Sequence, residues 1–267
     1  MAKVSEANRQ EFQQRCEPYL AQIKEMEAKE REILATISSD AAAVGYKKVV
    51  LSELMISMST VYIAMNNLSV EALDTKNNDM LNEARKILYK AIIYLEEVVT
   101  NGIDVQFSEL EDRLELIANL TFDQRYEHIR RLGLAIRLLI DAYGENTKWK
   151  WAFVELEGRF ATVSKNLIDW KKATKDYMDT QSADYDNTVY YIRRIKKMLD
   201  QSGTKYRDRY ELSTHRLDDI RLAINYVLAE RRICNVTGDK DLGEELKTKA
   251  LVWRDKLSHD KKKGIAR

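Results

Sequence analysis

The sequence predicts an all-α protein, because the residues that end helices and shape tight turns are scarce in it. The chain of 267 residues has one proline, Pro18, and nine glycines, and no glycine occurs in the 44 residues between Gly158 and Gly203. Residues that favour helices fill the chain instead. We expect eight or nine helices in an elongated antiparallel bundle with coiled-coil-like heptad packing, the alternative being an α-solenoid of helix pairs.

Five helices are predicted in the first half of the chain. The first has a heptad seam that contains Pro18, where the helix kinks or a new one begins. Ser38-Ser39-Asp40 then indicates a break and a cap, and Ser108–Glu111 and Thr121–Gln124 fit capping boxes. The second helix is apolar on most sides, which is typical of the middle of a bundle. The predicted ranges are 5–38, 41–68, 80–100, 109–118 and 122–143.

The sixth predicted helix, at 149–177, has the clearest heptad pattern in the chain. Its aromatic and aliphatic residues recur in two rows over about four heptads. A stripe of this kind usually packs internally, but part of it could face a partner, because large aromatic side chains dominate interface energies. The candidate partner-facing aromatics are Trp149, Phe153, Trp170 and Tyr177.

Three more helices are predicted in the remainder of the chain. The heptad phase slips at Thr180–Asp184, where either the helix breaks or one long helix continues with a stutter. Ser202-Gly203-Thr204 is predicted to end the next helix, and Gly238 the one after it. The predicted ranges are 185–201, 205–234 and a last helix that reaches about residue 257.

Charge divides the chain near the turn at Gly144-Glu145-Asn146. Residues 1–150 carry 19 basic and 24 acidic side chains, net −5, and residues 151–267 carry 25 and 19, net +6. We predict an N-terminal helical bundle at 1–145 and a basic C-terminal bundle at 146–267, the alternative being one continuous domain. The two halves could attract each other within one chain or between chains.

Cysteine content and hydropathy favour a cytoplasmic protein. Cys16 and Cys234 are far apart in sequence, and the first residues contain no apolar segment of the kind found in secretory signals. The longest uncharged run, Leu54–Val70, has 17 residues, six of them serine, threonine or asparagine. It is therefore predicted as a buried helix and not as a membrane span.

No catalytic, cofactor or metal motif is found in the sequence. None of the three histidines has a glutamate three residues before it, which excludes the Glu-x-x-His pattern of helical di-metal sites. Glycine-rich phosphate loops are also missing. Arg209 and His215 fit the spacing of an Arg-x(4–6)-His pattern of small helical ribonucleases, a match that chance explains better.

A basic cluster in the C-terminal half is the candidate contact for an anion or a nucleic acid. It consists of Arg193, Arg194, Lys196 and Lys197, and it follows three tyrosines at 185, 190 and 191. Basic groups interleaved with tyrosines can bind an anionic strand by counterion release and base stacking. The alternative is a solvated helix face with nearby aspartates as counter-charges.

The leading functional hypothesis is a non-enzymatic cytoplasmic scaffold or interaction protein that acts through helix faces. Its partner would be another copy or a different helical protein, and no small-molecule substrate or cofactor is implied. The alternative is a helical protein that binds nucleic acid through its basic C-terminal half. A helical enzyme using Arg209 and His215 is the third hypothesis.

Overall fold

The computed structural model describes residues 5–37, 43–144 and 147–266, and it confirms an all-α helical bundle. This part of the chain contains ten α-helices and no strand, against the eight or nine helices expected. The predicted cap at 38–40 lies outside the described residues. The helices are α1 (Glu6–Ile37), α2 (Val44–Leu73), α3 (Asn78–Val99), α4 (Glu111–Glu115), α5 (Phe122–Tyr143), α6 (Lys150–Asn166), α7 (Trp170–Met178), α8 (Tyr185–Arg209), α9 (Leu217–Thr237) and α10 (Lys240–Lys262).

The helices form two compact units. Unit 1 comprises Met1–Val98, Leu116–Asn119 and Glu127–Lys150, and unit 2 comprises Val99–Glu115, Leu120–Tyr126 and Trp151–Arg267. The chain thus passes into unit 2 and returns to unit 1 twice before it finally leaves unit 1 after Lys150. The predicted division between residues 145 and 146 falls on residues outside the described part of the chain.

Unit 1 is built around α2, which packs antiparallel to α1. Asn8 near the start of α1 donates to the carbonyl oxygen of Ala72 at 3.2 Å, and Lys47 near the start of α2 donates to that of Thr36 at 2.9 Å. Helix α1 continues through Pro18, so no new helix begins there. Among the described helices, α2 alone is long and apolar enough to cross a membrane, but most of its apolar stretch is buried against other residues of the chain.

Unit 2 is dominated by α8, α9 and α10, with each helix antiparallel to the next. Lys196 on α8 reaches Thr237 at the end of α9, whereas Tyr206, later on α8, stacks on Tyr226 in the middle of α9. The prediction that Ser202-Gly203-Thr204 ends a helix is wrong, because α8 continues to Arg209. A Cβ at position 203 would lie 3.2 Å from the Ala223 carbonyl oxygen, so this glycine serves close packing of two helices.

The prediction of one helix over 149–177 is also wrong, because α6 ends at Asn166 and α7 begins at Trp170. The Asp169 carboxylate accepts a hydrogen bond from the Lys172 backbone N–H at 3.0 Å and so caps a new helix. A second break follows α7, since α8 begins only at Tyr185, which answers the question left open at Thr180–Asp184.

The two predicted capping boxes have different outcomes. At the start of α5 the Gln124 N–H donates to Thr121 Oγ1 at 3.2 Å, and the Thr121 N–H donates to Gln124 Oε1 at 2.9 Å. This pair confirms the second box. At the first, a short 3₁₀ turn over Phe107–Leu110 precedes α4, so the predicted helix at 109–118 is shorter and begins differently.

Candidate functional site

The outward face of α8 in unit 2 is the candidate functional site. Arg193, Arg194 and Lys197 are exposed, and Tyr190 is 62% exposed. At about 100° per residue, these four side chains project within an arc of about 100° around the helix. We call this surface, formed by Tyr190, Arg193, Arg194 and Lys197, the α8 basic face.

The packing of α8 forces these side chains outward. Ile192, Ile195 and Leu199 occupy the opposite side of the helix, and each is at most 1% exposed. Their spacing of three and four residues gives an apolar stripe that faces the rest of unit 2. Since this stripe fixes the rotation of α8, the four residues of the α8 basic face project away from the core.

The α8 basic face has an unbalanced positive charge. Within the described residues, no carboxylate lies within ion-pair distance of Arg193, Arg194 or Lys197. Asp186 is exposed one turn before Tyr190 on the same side of the helix, and Asp200, three residues after Lys197, pairs with Lys249 at 2.7 Å. Three cations beside one aspartate and one exposed aromatic ring form a surface that attracts anions.

Lys196, the fourth member of the predicted basic cluster, is not part of this face. Its side chain is 12% exposed, and its ammonium group donates to Thr237 Oγ1 at 3.1 Å and to Asp239 Oδ2 at 3.3 Å. Lys196 therefore ties α8 to the end of α9 and is already neutralised by Asp239.

The predicted partner-facing aromatics occupy different environments. Phe153 and Trp170 are 5% and 4% exposed, so both are buried within the chain and contribute to packing. Trp149 is half-buried, with the guanidinium carbon of Arg85 4.1 Å from the centre of its ring. Tyr177 is also half-buried. The internal packing of Phe153 and Trp170 accounts for part of the heptad pattern that suggested a partner.

Arg209 and His215 lie at the end of α8, where the chain forms one π-helical turn over Tyr210–Thr214. Arg209 Nε is 3.6 Å from the buried carboxylate of Asp219. His215 has left-handed backbone geometry, with φ of 51°, and its ring packs edge-on against Tyr210. These contacts give both residues a role in turning the chain from α8 into α9.

No metal-binding group is formed by the described residues, since nowhere among them do three or more His, Cys, Asp or Glu side chains converge. Cys16 and Cys234 are free and buried, and burial raises the pKa of both thiols. His128 is buried, with its Nε2 3.0 Å from Ser52 Oγ.

Sequence reasoning missed several buried polar residues, notably Lys165, Asn166 and Glu230, which are at most 4% exposed. Burial and the nearby Asp200 carboxylate raise the pKa of Glu230 to about 7. Lys165 lies outside both aromatic heptad rows, so the periodicity places it at the surface. No local signal reveals its burial, because Phe107, whose ring lies 5.6 Å from its ammonium group, is more than 50 residues away in sequence.

Comparison with known proteins places the chain in a family. No curated protein and no solved structure matches the chain. The model of the TP0443 family matches residues 8–261, a range that includes the α8 basic face and most of both units. The protein therefore belongs to the TP0443 family.

Proposed function

We propose that the protein is a non-enzymatic interaction protein of the cytoplasm that acts through helix faces, and that the α8 basic face binds single-stranded nucleic acid. The observation that carries this proposal is a group of three exposed cations that have no carboxylate partner in the described part of the chain and lie next to an exposed tyrosine. The free, buried state of both cysteines agrees with a reducing compartment.

The arrangement suits a flexible anionic strand for two reasons. Arginine presents a planar group with several donors that matches phosphate geometry, and two of the three cations are arginines. Tyr190, one turn before them, offers a ring face on which a base can stack, an interaction that contributes about 1–3 kcal/mol per base in proteins that bind single strands. Arginines and ring lie on one exposed surface, so phosphate and base contacts are possible together.

The test is binding of a fluorescently labelled oligouridine to the full chain, measured by fluorescence anisotropy at fixed salt. We expect the R193A/R194A/K197A variant to bind at least about tenfold more weakly, because each phosphate contact contributes to the counterion-release term. We expect Y190A to weaken binding as well, and Y190F to retain it, because stacking needs the ring and not the hydroxyl.

A matched control removes the same charge elsewhere. Lys24, Lys29 and Arg31 are exposed on α1 of unit 1, and K24A/K29A/R31A also lowers the net charge by three. The proposal requires this variant to bind like the wild type. Equal loss in both triple variants would mean that net charge alone drives binding, and no loss in the α8 variant would rule the α8 basic face out.

A second candidate function, protein binding by α5 of unit 1, rests on a different surface. Leu134 and Leu138 are one turn apart and are 59% and 41% exposed. Arg130 and Arg137 lie on the same side of the helix. This face fits a helix of another protein or of a second copy. Sedimentation equilibrium of the wild type and of L134E/L138E tests self-association, which would appear as a dimer that the variant lacks.

A further inference from the structure

A lysine is buried in unit 2 without an ion pair or a hydrogen bond to its ammonium group from the described residues. Lys165, near the end of α6, is 1% exposed. No hydrogen bond or ion pair reaches its ammonium group from the described residues, and the centre of the Phe107 ring lies 5.6 Å from it. Lysines are almost never fully buried unless they are paired, so this position needs an explanation.

The next residue has an unsatisfied polar atom as well. Asn166 is fully buried, and its amide nitrogen donates to the carbonyl oxygens of Thr100 and Gly102, both at 3.1 Å. These two bonds fix the orientation of the amide, and its oxygen then has no hydrogen-bond donor among the described residues. Buried polar groups are normally hydrogen-bonded, so two such residues in succession indicate a place where a ligand supplies the partners.

An irregular loop, residues 100–106, covers these two side chains. Thr100 adopts φ of 77°, a left-handed conformation that is strained for a β-branched residue and that is concentrated at functional sites in proteins. Arg232 on α9 donates through Nη1 to the carbonyl oxygens of Asp104 and Val105. Side chains from α6 and α9 therefore hold a loop that has no regular structure of its own.

The walls around Lys165 combine aromatic surface with a second cation. Phe107 stacks on Trp170, with ring centres 4.6 Å apart and an angle of 18° between the planes. The charge of Arg232 acts on the Lys165 ammonium, as does the opposite charge of Asp104. Among the described residues, Arg232 makes hydrogen bonds through Nη1 alone, so its Nε and Nη2 donors can serve a ligand.

We propose that unit 2 holds a site for a small oxo acid, in which Lys165 forms an imine with the carbonyl carbon and Arg232 pairs with the carboxylate. The neutral amine attacks the carbonyl carbon, its two N–H protons leave with the carbonyl oxygen as water, and the C=O bond is replaced by C=N. Burial and the Arg232 charge lower the pKa of Lys165 to about 7, which supplies the neutral amine near pH 7. This site is separate from the α8 basic face and does not depend on the function proposed for it.

The test is competitive labelling of the full chain with a limiting amount of glyoxylate and cyanoborohydride at pH 7.5, followed by peptide mass spectrometry. The neutral fraction of Lys165 should exceed that of an exposed lysine by a factor on the order of several hundred. Even with slow opening of the loop, we expect Lys165 to be labelled at least about tenfold faster than Lys24 or Lys197. Labelling of the surface lysines without Lys165 would overturn the proposal.

Two further comparisons distinguish a ligand-binding site from a buried lysine that only has a reactive amine. Unfolding the chain in urea should abolish the preference for Lys165, because the preference depends on the folded environment. R232Q should reduce the preference for glyoxylate over acetaldehyde at Lys165 by about tenfold, with helix content by circular dichroism unchanged. An unchanged preference in R232Q would show that Arg232 does not pair with the carboxylate. It would therefore overturn the assignment of the site to an oxo acid.

Discussion

Lowering the pH should destabilise unit 1 through His128, which the structure buries in its neutral form. The side chain is 8% exposed and lies on α5, with Nε2 3.0 Å from Ser52 Oγ on α2. Burial, and secondarily the positive charge of Arg131, lowers the pKa of His128 to about 4. Protonation therefore places an unfavourable charge between two packed helices.

The magnitude follows from the difference between the folded and unfolded pKa values. A histidine in an unfolded chain has a pKa near 6.5, so the folded pKa of His128 is lower by about 2.5. Each difference of one in pKa corresponds to about 1.4 kcal/mol. The unfolded state binds the proton first as the pH falls, so this part of the stability is fully present above about pH 6.5. It decreases by about 2 kcal/mol at pH 5 and by about 3 kcal/mol below pH 4.

The assay is urea unfolding of the wild type and of H128Q at several pH values between 7.5 and 4.5. Glu53 and Glu127, which pair with Arg131 beside the histidine, are present in both proteins. The difference between the two proteins therefore isolates the histidine. We expect it to move by about 2 kcal/mol in favour of H128Q between pH 7.5 and pH 5. Parallel pH profiles, or an NMR titration of His128 near 6.5, would refute this reasoning.

Three further predictions concern unit 2. The pKa of Glu230 is raised to about 7, so the stability of the wild type relative to E230Q should fall by up to about 3 kcal/mol as the pH rises from 4.5 past 7. Parallel pH profiles of the two proteins in urea unfolding would contradict this. G158A should cost about 1–3 kcal/mol in urea unfolding, because the new Cβ would lie 2.7 Å from Tyr206 Cε2 and 2.8 Å from the Tyr226 hydroxyl. D169A should cost about 1 kcal/mol by removing the cap of α7, and a neutral result would show that the cap is dispensable.

Gly243 provides the control for the glycine substitution. It also lies within a helix, α10, but a Cβ there would be 3.4 Å from its nearest neighbour, which is ordinary contact. G243A should therefore be neutral or stabilising by up to about 1 kcal/mol, through the higher helix propensity of alanine. Similar losses in G158A and G243A would show that the contacts with the two tyrosines are not the cause.

The fold class follows from composition, but two helix ends depend on tertiary contacts or local capping that composition does not show. The heptad rows continue across Asp169, so the period alone gives one helix, whereas the aspartate side chain caps a new one. Gly203 predicts a helix end from its residue type, but α8 continues there because the missing Cβ lets α9 approach. In both cases a specific contact outweighs the local pattern.

The candidate site could be predicted only in part, because the sequence does not show which distant residues contact its side chains. Arg193, Arg194 and Lys197 are exposed, as charged residues on a solvated helix side usually are. Lys196 differs from them because its partner, Asp239, is 43 residues away in sequence and only the fold brings it close. Lys165 differs for a related reason, since the ring near its ammonium group belongs to Phe107, which is distant in sequence. A sequence pattern predicts on which side of a helix a residue lies. It does not predict which distant residues pack against that side.

The most direct test of the proposed function is the salt dependence with which the wild-type chain binds oligouridine. Three phosphate contacts by the α8 basic face predict that the logarithm of the binding constant falls with the logarithm of salt concentration with a slope of about −2. A slope of this size in the wild type, and near zero in R193A/R194A/K197A, is the expected result. The absence of binding at low salt, or a slope that is the same in both proteins, would contradict the proposal.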